Sequence, residues 1–419
     1  MRTLLICFLL ATTALAADWP QWRGPSFNGS TTETHLPATW DATNHVQWAT
    51  PLPGPGAATP VVVCDRIFLS AADKAAKEVL ALGLDARSGK ISWRQQLSGD
   101  HKTPGANDMA SPSPVTDGTN VWFLTGDGAL AAFTCDGQPL WRRDLSKEYG
   151  EFVANFGYSS SPLLYDGKLY VLALHSNSSY LLAVDPSTGK TLWKQERPTD
   201  ATDQSRESYV TPYPFEWNGR REIIIAGGEC VTAHDPASGK ELWRWWFTPA
   251  DRQIRQHNVP TPVALGDLIF VARSEHRPLF ALRAGGKAVE WVFEANRCWI
   301  ASPLVYKNRL YVLQEQEREL ACLEPKTGRV IWQQKLPVAN PLQASPTGAD
   351  DKIYLISVTG EVVVLAAGDE YRELGRTNLA EPVCRSTIVA ANGRLYVRTA
   401  KNLYCIGVKP PPPPSTQTR

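Results

Sequence analysis

DPSTGKTLW, residues 185–193, returns as DPASGKELW at 235–243 and as EPKTGRVIW at 324–332. Its last residue belongs to a longer series, Trp48, Trp93, Trp141, Trp193, Trp243, Trp291 and Trp332, separated by 45, 48, 52, 50, 48 and 41 residues. A period of roughly 40–50 residues marks a solenoid or propeller, in which each unit buries its apolar face only against its neighbours. Between the tryptophans every unit has one grammar, clearest over 161–193: Ser161-Pro162, LLY, the turn Asp166-Gly167-Lys168, LYVLAL, YLLAVD, the acidic turn, then the Trp strand. Short apolar runs bounded by Gly, Asp and Asn are antiparallel strands joined by hairpins. Four per unit make a propeller blade.

Thr59-Pro60, Ser113-Pro114 (or Ser111-Pro112), Ser161-Pro162, Thr211-Pro212, Thr261-Pro262, Ser302-Pro303 and Ser345-Pro346 open seven units; in the seventh, Leu374 stands where a Trp is due. An eighth begins at Ser386-Thr387 and stops after RLYVRT and NLYCIG, one strand short. HVQWATPL, around Trp48, is a Trp strand with no strands before it. The two fragments complete each other, and a ring closed this way has no exposed end sheet. The fold expected is all-β: a single eight-bladed propeller of four-stranded antiparallel blades over 45–408, the N-terminal strand completing the last blade. A segment at 17–44 precedes it, and a proline-rich tail at 409–419 follows.

Residues 1–16 read as a secretory signal peptide, with Arg2 as the basic region, Leu4 to Leu10 as the apolar region and Ala14-Leu15-Ala16 before the cut, so the mature chain is expected to start near Ala17 or Asp18. The expected location is periplasmic or secreted, with no membrane span. Of the 43 Lys and Arg only Arg2 lies in the signal, which leaves charge balanced against the 42 Asp and Glu. Such balance argues against nucleic acid as the partner. Beyond Cys7 there are seven cysteines, an odd number, so at least one is expected to be free. Cys322 and Cys405 occupy the position of Ala183 in another repeat and are expected in the core.

The acidic turn, Thr-Gly or Ser-Gly step and Trp resemble the tryptophan-docking repeats of the quinoprotein-like, pyrroloquinoline quinone repeat family, over residues 45 to 407. DWPQWRGP at 18–25 is similar to the opening of many exported bacterial propellers of this group. The resemblance implies an eight-bladed propeller. Within the family it points both to dehydrogenases that bind pyrroloquinoline quinone and calcium and to non-enzymatic scaffolds similar to the outer-membrane assembly lipoprotein. Those dehydrogenases carry a vicinal disulfide and long roofing loops. This chain has no Cys-Cys dipeptide, and its connections are short apart from 99–110, 146–157 and 198–208. A non-enzymatic, exported member is therefore expected, with no cofactor and no metal.

A side chain that recurs in nearly every blade does the same job in each, so the seven tryptophans are assigned to docking between sheets. Function is sought in the irregular loops before each Ser-Pro step, which open on one face around the axis. They carry Asp108, Asn155, Tyr158, Arg206, Glu207, Tyr209, Arg255, His257, Asn258, Arg297, Trp299, Gln343 and Arg385. Arg206, Arg255, Arg297 and Arg385 suit a carboxylate, a phosphate or a peptide. The same residues could instead pair with Glu207, Asp108 and carbonyls to staple blades together. Glu315, Glu317 and Glu319 alternate with polar residues and read as a solvated turn. The leading function is a scaffold that binds a protein partner or small anionic ligand at this face; the alternatives are a quinone-dependent dehydrogenase and a carbohydrate or cell-surface binder.

Overall fold

A computed structural model describes residues 17–41, 44–99, 107–247, 257–274, 278–295, 298–381 and 383–408. The signal segment and the proline-rich tail lie outside them. Eight antiparallel four-stranded sheets form the ring. Blade 1 comprises Val61–Val63, Arg66–Asp73, Glu78–Asp85 and Ile91–Gly99, from axis to rim. Blades 2 to 7 follow within 115–144, 163–196, 213–246, 263–293, 304–335 and 347–378. Blade 8 is Val389–Ala391, Arg394–Arg398 and Asn402–Gly407, and its outer strand is Val46–Pro51, with Trp48 opposite Cys405 and Thr50 opposite Leu403. Helix is confined to one short α-turn, Leu145–Tyr149, and one 3-10 turn, Asp203–Arg206, among the described residues.

The repeated nonapeptide explains why blades associate. Asp185 Oδ1 accepts the Ser187 and Thr188 amides at 2.8 and 3.0 Å, an Asx turn, and its carbonyl accepts the Gly189 amide at 2.8 Å. Gly189 then sits at φ +73, the left-handed region open to glycine. The indole of the preceding blade docks on that bare Cα, and Trp141 Nε1 donates to the Pro186 carbonyl at 2.8 Å. Corresponding contacts place Trp48 on Gly89, Trp93 on Gly137, Trp193 on Gly239, Trp243 on Gly286 and Trp291 on Gly328. Trp48 thus carries the same joint across the closure from blade 8 to blade 1. Cys322 and Cys405 are fully buried opposite Trp332 and Trp48, the place Ala183 takes opposite Trp193. All seven cysteines from Cys64 to Cys405 are free.

The register corrects the expectation at Leu374: Gly375, opposite Val364, holds the place that Trp193 takes opposite Ala183, and Leu374 is the bulge residue before it, as Leu192 is, so the seam between blades 7 and 8 has no indole from the ring. Trp40 fills it from outside the repeats. It is 4% exposed, packs with Leu36 among Tyr354, Val362, Leu395 and Ile406, and exchanges hydrogen bonds with Thr377.

Candidate functional site

Each innermost strand begins with a Ser-Pro or Thr-Pro step, or Thr387-Ile388 in blade 8. Pro needs no acceptor there, but the preceding residue presents an amide toward the axis, where no strand can pair it. In seven of the eight blades the amide is satisfied by the corresponding hydroxyl of the next blade. Thr59 donates to Ser113 (2.8 Å), Ser113 to Ser161 (2.9 Å), Ser161 to Thr211 (3.2 Å) and Thr211 to Thr261 (3.0 Å). Thr261 donates to Ser302 (2.9 Å), Ser302 to Ser345 (2.9 Å), and Thr387 back to Thr59 (3.3 Å). Between blades 7 and 8, Thr347 Oγ1 donates to the Ile388 carbonyl at 2.5 Å. A belt of hydroxyls thus encircles the axis, and Ser113 rather than Ser111 is the member from blade 2.

Above the belt lies a cavity of about 160 Å³. The residue two places before each belt hydroxyl lines it, in all eight blades: Ala57, Ser111, Ser159, Tyr209, Val259, Ile300, Gln343 and Arg385. Arg385 Nε donates to Gln343 Oε1 at 3.0 Å, which orients the guanidinium along one wall. Ala57, Val259 and Ile300 are apolar, and the described lining contains no carboxylate.

From the other face the channel is plugged by residues 17–36. Trp19 pairs with Val62 through two backbone bonds, the Pro20 carbonyl accepts the Thr116 amide, and Gly29 and Thr31 bracket Gly348. Phe27 meets Tyr165 edge-on. Each partner lies on an innermost strand, so the segment satisfies edges that the ring leaves open. Arg23, 1% exposed, reaches up to the Pro303 and Pro346 carbonyls at 2.5 and 3.2 Å; burial pushes its guanidinium down to about 9. Trp22 reaches the cavity itself.

The loop residues singled out by sequence do not gather in one place. Arg385, Gln343 and Tyr209 line the cavity. Glu207, fully buried, instead ties loops together: it accepts the Asn155 amide and Nδ2 (2.8 Å), Ser176 Oγ (2.8 Å) and the Tyr209 hydroxyl (2.7 Å). Asn258 continues this joint through backbone bonds to Glu207 and Tyr209. His257 lies beside Phe156 and Tyr209, with ring centroids 4.9 and 5.4 Å away; burial lowers its pKa, partly offset by Glu207. Burial also keeps the Tyr209 and Tyr158 hydroxyls protonated, and Tyr158 donates to the Leu172 carbonyl at 2.6 Å. Asp108 Oδ1 caps its own turn at the Ala110 amide. Arg206 is exposed and donates to the Ala201 carbonyl at 3.1 Å, while half-buried Trp299 accepts from Ser274 Oγ at 2.8 Å. Arg255 and Arg297 lie outside the described residues.

Glu315 differs from the expected solvated turn. It is fully buried and its carboxylate accepts the amides of Trp299 (2.7 Å), Ile300 (2.6 Å) and Ala301. Burial outweighs these donors and pushes its pKa up to about 7. Through Ile300 it positions one wall of the cavity.

Among the described residues no group of three or more His, Cys, Asp or Glu could hold a metal. A quinone held over calcium needs converging oxygen ligands. The described cavity wall has one arginine and no carboxylate to supply to such a ligand set.

Comparison with known proteins agrees with this architecture. The family model for "Outer membrane protein assembly factor BamB" matches residues 30–205, 227–335 and 316–407. BamB of Burkholderia pseudomallei is 22% identical over 326 residues, covering 61% of this chain and 81% of its own. Quinohemoprotein alcohol dehydrogenase ADH IIB of Pseudomonas putida is 28% identical over 174 residues, covering 40% of this chain but 23% of that enzyme. The chain thus spans less than a quarter of that relative's length. The crystal structure of BamB from Moraxella catarrhalis superposes with a TM-score of 0.64 at 15% identity, over 86% of this chain and 99% of that one. Quinohemoprotein alcohol dehydrogenase from Comamonas testosteroni gives 0.71 at 13% identity, over 96% and 82%. These structures share the fold. With the family model matched across most of its length, the chain belongs to the BamB family of eight-bladed propellers.

Proposed function

We propose that this protein is an exported, non-enzymatic scaffold whose loop-bearing face binds a partner protein, receiving a small anionic group of that partner in the axial cavity. The observation that carries the reading is the composition of the lining: Arg385 oriented by Gln343, hydroxyls from Ser111 and Ser159, an apolar wall, and no described carboxylate in the wall to repel an anion. A guanidinium held in place is well suited to a carboxylate. The family match supports protein binding, since the outer-membrane assembly factor is named for assembly. The dehydrogenase reading has less support, because the described wall offers no carboxylate to a metal-bound quinone.

The test compares partner capture from a periplasmic extract by the natural protein and by Arg385→Glu. Loss of a specific partner on charge reversal supports the reading, and equal recovery rejects it. Pyrroloquinoline quinone and calcium retained through gel filtration, with alcohol-dependent dye reduction, would establish the enzyme instead.

A further inference from the structure

Ala17, at the start of the segment that plugs the channel, makes an unusual contact. The Ala17 backbone nitrogen donates to Glu33 Oε1, while Glu33 Oε2 accepts the Gly393 amide at 2.5 Å. Glu33 is only 6% exposed, and its carbonyl accepts the Asp350 amide at 3.0 Å. This carboxylate therefore joins the start of the plug, its return limb and blade 8. No ion pair of Glu33 with Lys or Arg occurs among the described residues. A buried carboxylate held by two amide donors lacks a counter-charge, and burying such a group is unfavourable unless one is supplied.

We propose that proteolytic cleavage between Ala16 and Ala17 is a maturation site that supplies this charge: the new Ala17 α-ammonium becomes the ion-pair partner of Glu33 and clasps the plug to the ring. The inference rests on the export reading for its protease, and on the Ala17–Glu33 contact for its consequence. Hydrolysis of the Ala16–Ala17 peptide bond adds one water, leaving a carboxylate on Ala16 and an amine on Ala17 that takes up a proton at neutral pH. Before the cut the nitrogen offers Glu33 one neutral N–H; afterwards it offers three, with a positive charge, a stronger class of bond. Just beyond it, Asp18 Oδ1 accepts the Cys64 amide at 2.8 Å and Trp19 is wholly buried against Val62. The new terminus is thus fixed where it forms.

The experiment uses the full mature chain beginning at Ala17, the same chain with one glycine before Ala17, and Glu33→Gln in both. Mass spectrometry of protein exported from the full-length precursor is expected to give Ala17 as the first residue; any other terminus overturns the cleavage assignment. Glu33→Gln is expected to lower the melting temperature of the Ala17 chain by about 1–4 °C, and to have less than half that effect on the extended chain. Equal effects in both would overturn the ion pair even with cleavage at Ala17. The Ala17 amine should also react with an amine-directed reagent about tenfold more slowly in the folded natural chain than in Glu33→Gln; equal rates count against the pair. Partner capture is scored separately, so failure of the scaffold reading leaves these outcomes unaffected.

Discussion

Trp141 and Gly189 belong to neighbouring blades, yet they form one joint: a Cβ built on Gly189 would lie 2.7 Å from the indole. Gly189→Ala therefore meets two obstacles, the left-handed backbone and the ring. Together they are expected to destabilise by about 2–5 kcal/mol. Gly167 has a similar φ of +70 but nothing within 4 Å, so Gly167→Ala isolates the backbone term at about 1–2 kcal/mol. Guanidinium unfolding midpoints of the two variants check the difference; equal losses would mean that the indole yields freely.

Trp40 occupies the one seam that lacks a repeat tryptophan. Trp40→Ala should cost about 3–5 kcal/mol, as a large buried aromatic does. Gly375→Trp, which puts an indole at the repeat position, should not rescue it, because a Cβ on Gly375 already meets Ala38 and Thr39. Thermal melts of the single and double variants decide the point, and restoration by Gly375→Trp would contradict it.

The ring was legible because its signature residues are the joints themselves. An acid, a glycine and a tryptophan at fixed spacing had to be framework, and the missing tryptophan already marked the odd seam, although its place is Gly375 and not Leu374. Trp40 could not be assigned to that seam, since residues 17–40 match no repeat and pack by tertiary fit alone. The cavity was half visible. Tyr209, Gln343 and Arg385 stood out by chemistry, while Ala57, Val259 and Ile300 carry none, although counting back two residues from every Ser or Thr step finds all eight. Glu315 was misread because alternating Glu and Gln resembles a wet hairpin. Only the neighbouring loop, with three amides facing it, explains its burial.

His175 is 2% exposed, lies 5.0 Å from Phe152, and both ring nitrogens lack a partner among the described residues. Burial pushes its pKa down to about 4. The folded state therefore binds its proton less readily than the unfolded state does, and stability is lost as pH falls from about 6.5 toward 4. His175→Phe removes two unsatisfied polar atoms and this proton linkage. It is expected to raise stability more at pH 5 than at pH 8, by chemical denaturation at each pH; an equal gain would show that the imidazole takes up its proton in the fold as readily as in the unfolded chain.

Glu315 works in the opposite direction. Its folded pKa, about 7, lies above the ordinary value of 4.5, so its contribution is full below about pH 4.5 and is lost as pH rises through 7. Glu315→Gln should flatten that part of the pH profile while leaving the His175 part intact. The two variants together separate the slopes, and an unchanged profile in Glu315→Gln would mean that the three amides hold the carboxylate ionised.

Arg385 and Gln343 give the most direct test of the cavity. If the guanidinium receives a carboxylate, a panel of acidic peptides should bind more tightly than the same peptides with their carboxylates amidated. Arg385→Ala should abolish that preference, with a loss of about 1.5–3 kcal/mol, tenfold or more in Kd. Gln343→Ala should weaken it less, because the charge remains and only its orientation relaxes. Ser159→Ala removes one lining hydroxyl and should leave the carboxylate preference in place. Fluorescence anisotropy at two ionic strengths provides the measurement, and a partly enclosed ion pair should survive added salt better than a surface one. A preference that is unchanged in Arg385→Ala would move the binding site off the axis and onto the outer loops around Arg206.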